Sequence, residues 1–338
     1  MIREILLILI PFFINFIFSY KYLRYASNNG PYSLPNYRSL HKRKIAKGGG
    51  IGIGISFLLT FFLEASIYQF NFDRLKILVF GGILSLIFGF YDERKDIKAK
   101  YQIILNLICA FLILFSVNIF QINFLAETSF IFKLIFSIIV IFFIIWLFNA
   151  GNFIDGTDGM ASSAASFICL SMGLYLRFNN QNELSNILFI LLGANLSFLL
   201  FNYPPAKIFM GDSGSRFNSY ILVATAVLSI KQEFDMIFYW GLASGYYLID
   251  TSLTTFTRFL TVPKFWLGHR SHAYQNLARI WDDHRKILNL ILLINLIWIS
   301  PLMFILHNNI SLKWVILIIA YLPLMLFTYK FGPKFEDK

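Results

Sequence analysis

Long apolar runs alternate with short polar breaks from one end of the chain to the other. Helices are predicted near 4–20, 49–68, 75–91, 101–118, 131–148, 160–177, 185–201, 217–231, 236–256, 287–306 and 312–329. Most of these runs approach the roughly 20 residues needed to cross a hydrocarbon layer about 30 Å thick. The run 160–177 is rich in Ser and Ala, which suits close helix packing inside a membrane. The first run, Ile5–Tyr20, follows a single Arg3 and has no small-residue cleavage site, so it reads as a retained span. The predicted fold class is an all-α, polytopic transmembrane helix bundle of about 11 spans, forming one integral membrane domain over 1–338.

Composition supports this. The chain is 57% hydrophobic and only 14% charged, with a mean hydropathy of +0.65. A water-facing surface normally needs about 25% charged residues. Cys109 and Cys169 both lie in apolar runs, so no disulfide framework is expected. Five histidines, widely scattered, do not make a His-rich metal site.

Charge then sets an orientation. Connections on one side of the predicted bundle, with the 330–338 tail, carry 22 of the 29 Lys and Arg residues, against 7 for the other side. Basic residues stay in the cytoplasm, so the N-terminus is expected in the periplasm and the C-terminus in the cytoplasm. The net charge of +11 is mainly this topology signal. It does not call for nucleic acid, although the basic loops suit membrane lipid headgroups and anionic substrates.

The unusual polar residues fall in loops on that cytoplasmic side: 21–50, 92–100, 149–160, 202–216 and 258–286. Lys47 precedes Gly48, Gly49 and Gly50 at a helix start. Such glycines let backbone N–H groups approach an anion, or simply provide a packing face. Asp92 and Glu93 adjoin Arg94, Lys95 and Asp96. The carboxylates could bind a divalent cation or hold a base near a phosphate, or belong to a solvated loop. The segment Asn149–Met160 holds Asn149, Asn152, Asp155 and Asp158 with three glycines and no Lys or Arg. Oxygen donors on a flexible loop suit Mg²⁺ or a polar ligand; turn formation alone leaves the acids without a counter-charge. Asp212 sits between Gly211 and Ser213 at another helix start, where capping and metal or phosphate binding are compatible. His269, Arg270 and His272 share the last loop and could hold a diphosphate, or be an inert surface cluster. Carboxylates for a metal and cations for phosphates on one face are the equipment of phosphoryl transfer.

These motifs, in this order, resemble the polyprenyl-phosphate sugar-1-phosphate transferases of the MraY/WecA type, glycosyltransferase family 4. The matching pieces are Gly48–Gly50, Asp92-Glu93, Asn149–Ala161, Phe209–Ser215 and the His-Arg loop. The family usually has two aspartates where this chain has Asp92-Glu93. Eleven spans fit the WecA-like branch, and the MraY histidine-rich loop is lacking, which argues against a muramoyl-pentapeptide substrate. Pro35–His41 and His269–Gln275 resemble the WbpL-like subgroup, whose members initiate O-antigen or other surface polysaccharides from UDP-N-acetylated 6-deoxyhexosamines.

The resemblance implies an enzyme of the bacterial cytoplasmic (inner) membrane with its active site on the cytoplasmic face. It would transfer the sugar-1-phosphate of a UDP-sugar to undecaprenyl phosphate and release UMP. It implies Mg²⁺, with Mn²⁺ as the alternative ion, held by Asp212 and Asp155. Asp92, Glu93 and Asp212 are the expected catalytic residues, with Asp92 orienting or deprotonating the lipid phosphate. Lys47, Gly49, Asn149, Asn152, Asp155, Asp158, His269, Arg270 and His272 are the expected substrate-binding residues, and a homodimer is compatible with the pattern. The competing reading is a multi-span transporter with an Asp-lined path for a cation or an anionic substrate. Its broken helices would be 149–159 and 202–216, and its embedded acids Glu64 and Asp250.

Overall fold

The computed structural model describes residues 2–34, 43–68, 72–95, 97–118, 127–264 and 268–333. The Pro35–His41 motif and Asp96 lie outside these residues. Among them, helices dominate: α1 (Ile2–Asn29), α2 (Ile51–Tyr68), α3 (Phe72–Lys95), α4 (Ala99–Val117), α5 (Phe130–Phe153), α6 (Met160–Phe178) and α7 (Asn182–Asn202). They continue with α8 (Gly211–Gln232), α9 (Met236–Ala243), α10 (Gly245–Thr261), α11 (Ala273–Trp281), α12 (His284–Leu293), α13 (Ser300–Asn308) and α14 (Lys313–Phe331). A π-helical segment, Ile294–Ile299, joins α12 to α13 in one rod.

Among the described residues, eight helical rods are long and apolar enough to cross a bilayer. The predicted spans 49–68, 217–231 and 236–256 fall outside that set, each for a local reason. The apolar part of α2 runs only from Ile51 to Ile67. α8 opens on the polar, glycine-containing stretch Gly211–Ser215. The span 236–256 is two helices, α9 and α10, divided at Ser244. Both cysteines are buried and free.

The bundle is organised around α7, which packs on α1 and α6, and α8, which packs on α3 and α5. The hydrophobic window of α7 is 83% buried, against 17% for α5 and for α14. The centre is therefore α7, and the faces of α5 and α14 are left for lipid. Mid-bundle, Asn195 of α7 and Asn218 of α8 exchange hydrogen bonds of 3.0 and 2.8 Å. Pairing satisfies two amides that would otherwise be costly away from water.

One end of the bundle carries a small sheet that the apolar pattern did not foretell. β1 (Tyr32–Ser33) pairs antiparallel with β2 (Ile45–Lys47), with Tyr32 opposite Ala46. β2 pairs parallel with β3 (Ile208–Phe209), setting Lys47 opposite Phe209. This ladder joins the segment before α2 to the segment before α8 and sets the two helix starts side by side.

An apolar cavity of 630 Å³ runs along α8, lined from Ser215 to Ile230 and closed partly by α5, α9 and α10. Fifteen residues of helix rise about 22 Å, most of a hydrocarbon layer.

Candidate active site

The helix starts meet because glycines permit it. Gly50 N–H donates to the Met210 carbonyl at 2.9 Å, and Gly49 N–H to the Phe209 carbonyl at 3.1 Å. A Cβ on Gly50 would stand 2.4 Å from the Cα of Gly214. These contacts spend the Gly49 amide on the backbone crossing.

Glu93, at the end of α3, fills the gap between two glycines with left-handed backbones, Gly48 (φ 93°) and Gly211 (φ 72°). A Cβ on Gly48 would come within 2.6 Å of Glu93 Oε2, and one on Gly211 within 2.5 Å of Oε1. Oε1 accepts the Ser213 N–H at 2.7 Å. The positive φ and the close approach both exclude a side chain at these two positions.

Lys47 Nζ stands 3.4 Å from Asp212 Oδ2, and each side chain is about one-third exposed. Asp155 accepts the Gly211 N–H and lies within electrostatic range of Asp212, Lys47 and Glu93. Burial, then the Asp212 charge, lift the Asp155 carboxyl well above the usual carboxylate range, against the pull of Lys47. Burial pulls the Lys47 ammonium down, but the Asp212 and Glu93 carboxylates outweigh it and raise its pKa above the usual value. Three carboxyl groups thus lie within electrostatic range of one lysine, and the Lys47–Asp212 pair is the part of the cluster open to the outside.

The expected acidic pair is divided. Asp92 is buried, and both of its oxygens are taken: Oδ2 by Arg216 Nη2 at 2.9 Å and Gln102 Nε2 at 2.9 Å, Oδ1 by the Ile97 N–H at 2.9 Å. That differs from the reading of Asp92 as the group that orients the lipid phosphate; Glu93 is the neighbour that faces the lysine cluster. Asp158 is likewise engaged. Its Oδ2 accepts the Ala206 N–H at 2.9 Å and its Oδ1 lies 3.2 Å from His284 Nδ1, so it ties the loop after α5 to the loop before β3. Asn149 accepts from Asn106 Nδ2 at 3.3 Å, whereas Asn152 Oδ1 is buried without a hydrogen-bond partner.

The histidine loop packs on this segment through Phe153. The His272 and His269 rings lie 5.9 and 6.4 Å from the Phe153 ring and 5.0 Å from one another. The Tyr274 hydroxyl donates to the Phe153 carbonyl. Arg258 holds Ser271 at 3.0 Å, and Asp250 accepts the Ala273 N–H at 3.0 Å. Burial pushes His272 down to about 4, and burial, then His272 and Arg258, push His269 down to about 3. Both rings are therefore neutral near pH 7; His272 is buried, and the half-buried His269 would offer a phosphate an N–H hydrogen bond without a charge. Arg270 is half-buried in the same loop.

Arg216, Gln102 and His284 were not picked out in the sequence, whereas Tyr274 lay within the His269–Gln275 motif. Of those three, only Arg216 left a signal in the sequence, a charge in the fourth position after Asp212 on the same helix.

Donor chemistry decides whether this site suits the divalent cation implied by the resemblance. Among the described residues, no three His, Cys, Asp or Glu side chains are gathered closely enough to hold an ion by themselves. Mg²⁺ commonly takes one or two carboxylates and completes its shell with substrate phosphates and water. Asp212 and Asp155 beside the unpartnered Glu93 Oε2 fit such a shared, open site, with hard oxygen donors throughout.

Residues 75–230 match the model of Glycosyl transferase family 4. The chain is 25% identical over 280 residues to a probable undecaprenyl-phosphate N-acetylglucosaminyl 1-phosphate transferase of Bacillus subtilis, covering 81% of this chain and 77% of that protein. It is 32% identical over 255 residues to a phospho-N-acetylmuramoyl-pentapeptide-transferase of a Wolbachia species, covering 66% and 74%. A Streptococcus agalactiae protein of that second description is 29% identical over 181 residues, about half of each chain.

Proposed function

Because the chain belongs to glycosyl transferase family 4, the MraY/WecA family of membrane phospho-sugar transferases, we propose that it transfers sugar-1-phosphate from a UDP-sugar to undecaprenyl phosphate and releases UMP. One observation carries this reading: a charged site adjoins an apolar, membrane-long cavity. Ile154 and Met210, which line the cavity's inner end together with Gly151 and Ser215, stand beside the Asp155 and Gly211-Asp212 segments. Such a shape matches a phosphate head on a long hydrocarbon chain. A path for a small ion has no use for so apolar a wall. The acids of the transporter reading are also spoken for: Glu64 is paired with Arg3, and Asp250 anchors Ala273.

In the proposed reaction an oxygen of the lipid phosphate attacks the sugar-bearing β-phosphorus of the UDP-sugar. The bond from that phosphorus to the bridging oxygen breaks, UMP departs with the oxygen, and a polyprenyl diphosphate sugar remains. Lys47 and Arg270 neutralise the diphosphate. Glu93, held between Gly48 and Gly211, fixes Ser213 at the start of α8, and the neutral, half-buried His269 donates a hydrogen bond. The lipid phosphate is largely ionised at neutral pH, its second pKa being about 6, so orientation matters more than proton removal. A divalent cation bound at Asp212 and Asp155 would supply charge neutralisation for the diphosphate and the leaving oxygen.

The resemblance of the 269–275 loop supports a UDP-N-acetylated hexosamine or 6-deoxyhexosamine as donor, opening an O-antigen or surface polysaccharide. The basic loops support a cytoplasmic site in the bacterial inner membrane. The test is UMP release by detergent-purified protein given undecaprenyl phosphate, Mg²⁺ and a donor panel that includes UDP-N-acetylmuramoyl-pentapeptide. Lipid- and Mg²⁺-dependent release with a 6-deoxy or N-acetylhexosamine donor is expected. Release with the pentapeptide donor alone overturns the sugar assignment, and release with none overturns the transferase reading.

A further inference from the structure

We propose that Arg216 is a positioning residue which, through Asp92, sets where the Asp212 carboxylate stands. Arg216 lies one turn beyond Asp212 on α8. Its guanidinium is buried, 2.9 Å from Asp92 Oδ2, with 6% and 7% of the two side chains exposed. The Phe88 ring lies 5.4 Å from the guanidinium carbon. Gln102 and the Ile97 N–H take the rest of the Asp92 carboxylate, so Asp92 has no oxygen without a donor from its own chain. Neither Asp92 nor Arg216 is hydrogen-bonded to Lys47, Asp155 or Asp212 among the described contacts.

The pair is one of three holds that the end of α3 has on the first turn of α8. Glu93 takes the Ser213 N–H. Gly89 lies against the Asp212 carbonyl so closely that a Cβ there would stand 2.4 Å from it. The third hold is Asp92 with Arg216. Asp212 sits within these three points, and its side chain is left to meet Lys47. Removing one partner of a buried ion pair strands a charge away from water, whereas removing both leaves no unpaired charge. The pair therefore has a signature that a reacting carboxylate lacks.

The proposal rests on the transferase reading for its rate measurement and on metal binding for an independent one. Arg216→Gln, Asp92→Asn, the double variant and Arg216→Lys are compared with the parent protein. UMP release gives kcat, the KM for the UDP-sugar and the Mg²⁺ concentration for half-maximal rate. Mn²⁺ alone, followed by its electron paramagnetic resonance signal, gives metal affinity without lipid or nucleotide. A displacement of about 1 Å at a reacting group can cost on the order of 100-fold. Each single variant is expected to lose kcat by about that factor. Each should also bind Mn²⁺ several-fold more weakly and keep the KM for the sugar nucleotide within about twofold.

The double variant should be no worse than the poorer single one, and Arg216→Lys, which keeps the charge, should recover part of the loss. A double variant whose loss is the product of the two singles overturns the proposal, because Asp92 then acts on the reactants directly. Unchanged Mn²⁺ affinity in both single variants overturns it as well. Where a single variant fails to accumulate in the membrane, the double variant and Arg216→Lys carry the same comparison. A parent protein that releases no UMP would remove the transferase reading and leave the Mn²⁺ comparison standing.

Discussion

Charged clusters occupy both ends of the bundle, and their difference shows what separates a lock from a site. Far from the sheet, Glu64 accepts from Arg3 and, at 3.2 Å, from Asn186 Nδ2. Asn186 in turn accepts from Arg177, which also bonds Asn182 at 2.9 Å. One amide and two cations, Arg3 in contact and Arg177 within electrostatic range, attend this carboxylate, and Glu64 is 6% exposed. At the sheet end, one lysine faces Glu93, Asp155 and Asp212. The first cluster joins the ends of α1, α2, α6 and α7 and matches its two acids with two cations, Glu4 lying 3.8 Å from Arg177. The second keeps more carboxyl groups than cations and an open side at Lys47 and Asp212, and an arriving cation, a moved Lys47 or a proton on Asp155 relieves it.

The comparison breaks most sharply at Asp212. Asp212→Asn is expected to reduce UMP release at least about 1,000-fold, with the melting transition in detergent unchanged. Appreciable turnover in that variant would take Asp212 out of the chemistry. Next comes Gly211→Ala. A left-handed alanine costs about 1–2 kcal/mol, and its Cβ must push Glu93 aside. Activity should fall about 100-fold, and a variant with wild-type rate and melting point would show that the glycine is dispensable.

Glu64→Gln sharpens the contrast from the other end. It should destabilise the protein by about 1–2 kcal/mol, less than the usual cost of breaking a buried pair because Arg3 is partly exposed. The turnover per folded molecule should not change; a lost turnover would mean the far cluster communicates with the site. Lys47→Met should separate two roles of one residue. With its internal counter-cation gone, the acidic cluster should bind Mn²⁺ alone a few-fold more tightly while turnover falls. Weaker Mn²⁺ binding would mean that Lys47 supports the metal instead of competing with it.

The smallest effect concerns pH. His269 and His272 are depressed to about 3 and about 4 in the folded protein, against about 6.5 when unfolded. The unfolded chain therefore binds more protons between about pH 6.5 and 4, and stability falls as pH falls through that window. His269→Gln should flatten the slope of melting temperature against pH there, and an unaltered slope would mean that His269 titrates normally.

Much of this site can be read along the chain because its pieces are local. Lys47 before three glycines, the acids of 149–160, Asp212 at a helix start and the His-Arg loop each stand out within a dozen residues. The structure then brings them together: Lys47 to Asp212, Asp155 to Gly211, Phe153 to the histidines. What misled was adjacency. Asp92 and Glu93 are neighbours in sequence, yet successive residues on a helix point about 100° apart, and one turns to Arg216 while the other turns to Ser213.

The sequence by itself determined the membrane class and the segments that hold the chemistry. Both follow from transfer free energies of single side chains and from the cost of leaving ionisable groups near lipid. Only the tertiary structure decided which acid locks and which faces the lysine, that the glycines serve a backbone crossing, and that 236–256 divides at Ser244. Those outcomes depend on partners far away in sequence, 124 residues in the case of Asp92 and Arg216. A carboxylate can be recognised as costly wherever it stands in an apolar chain. Which donor satisfies it is settled by how the helices cross.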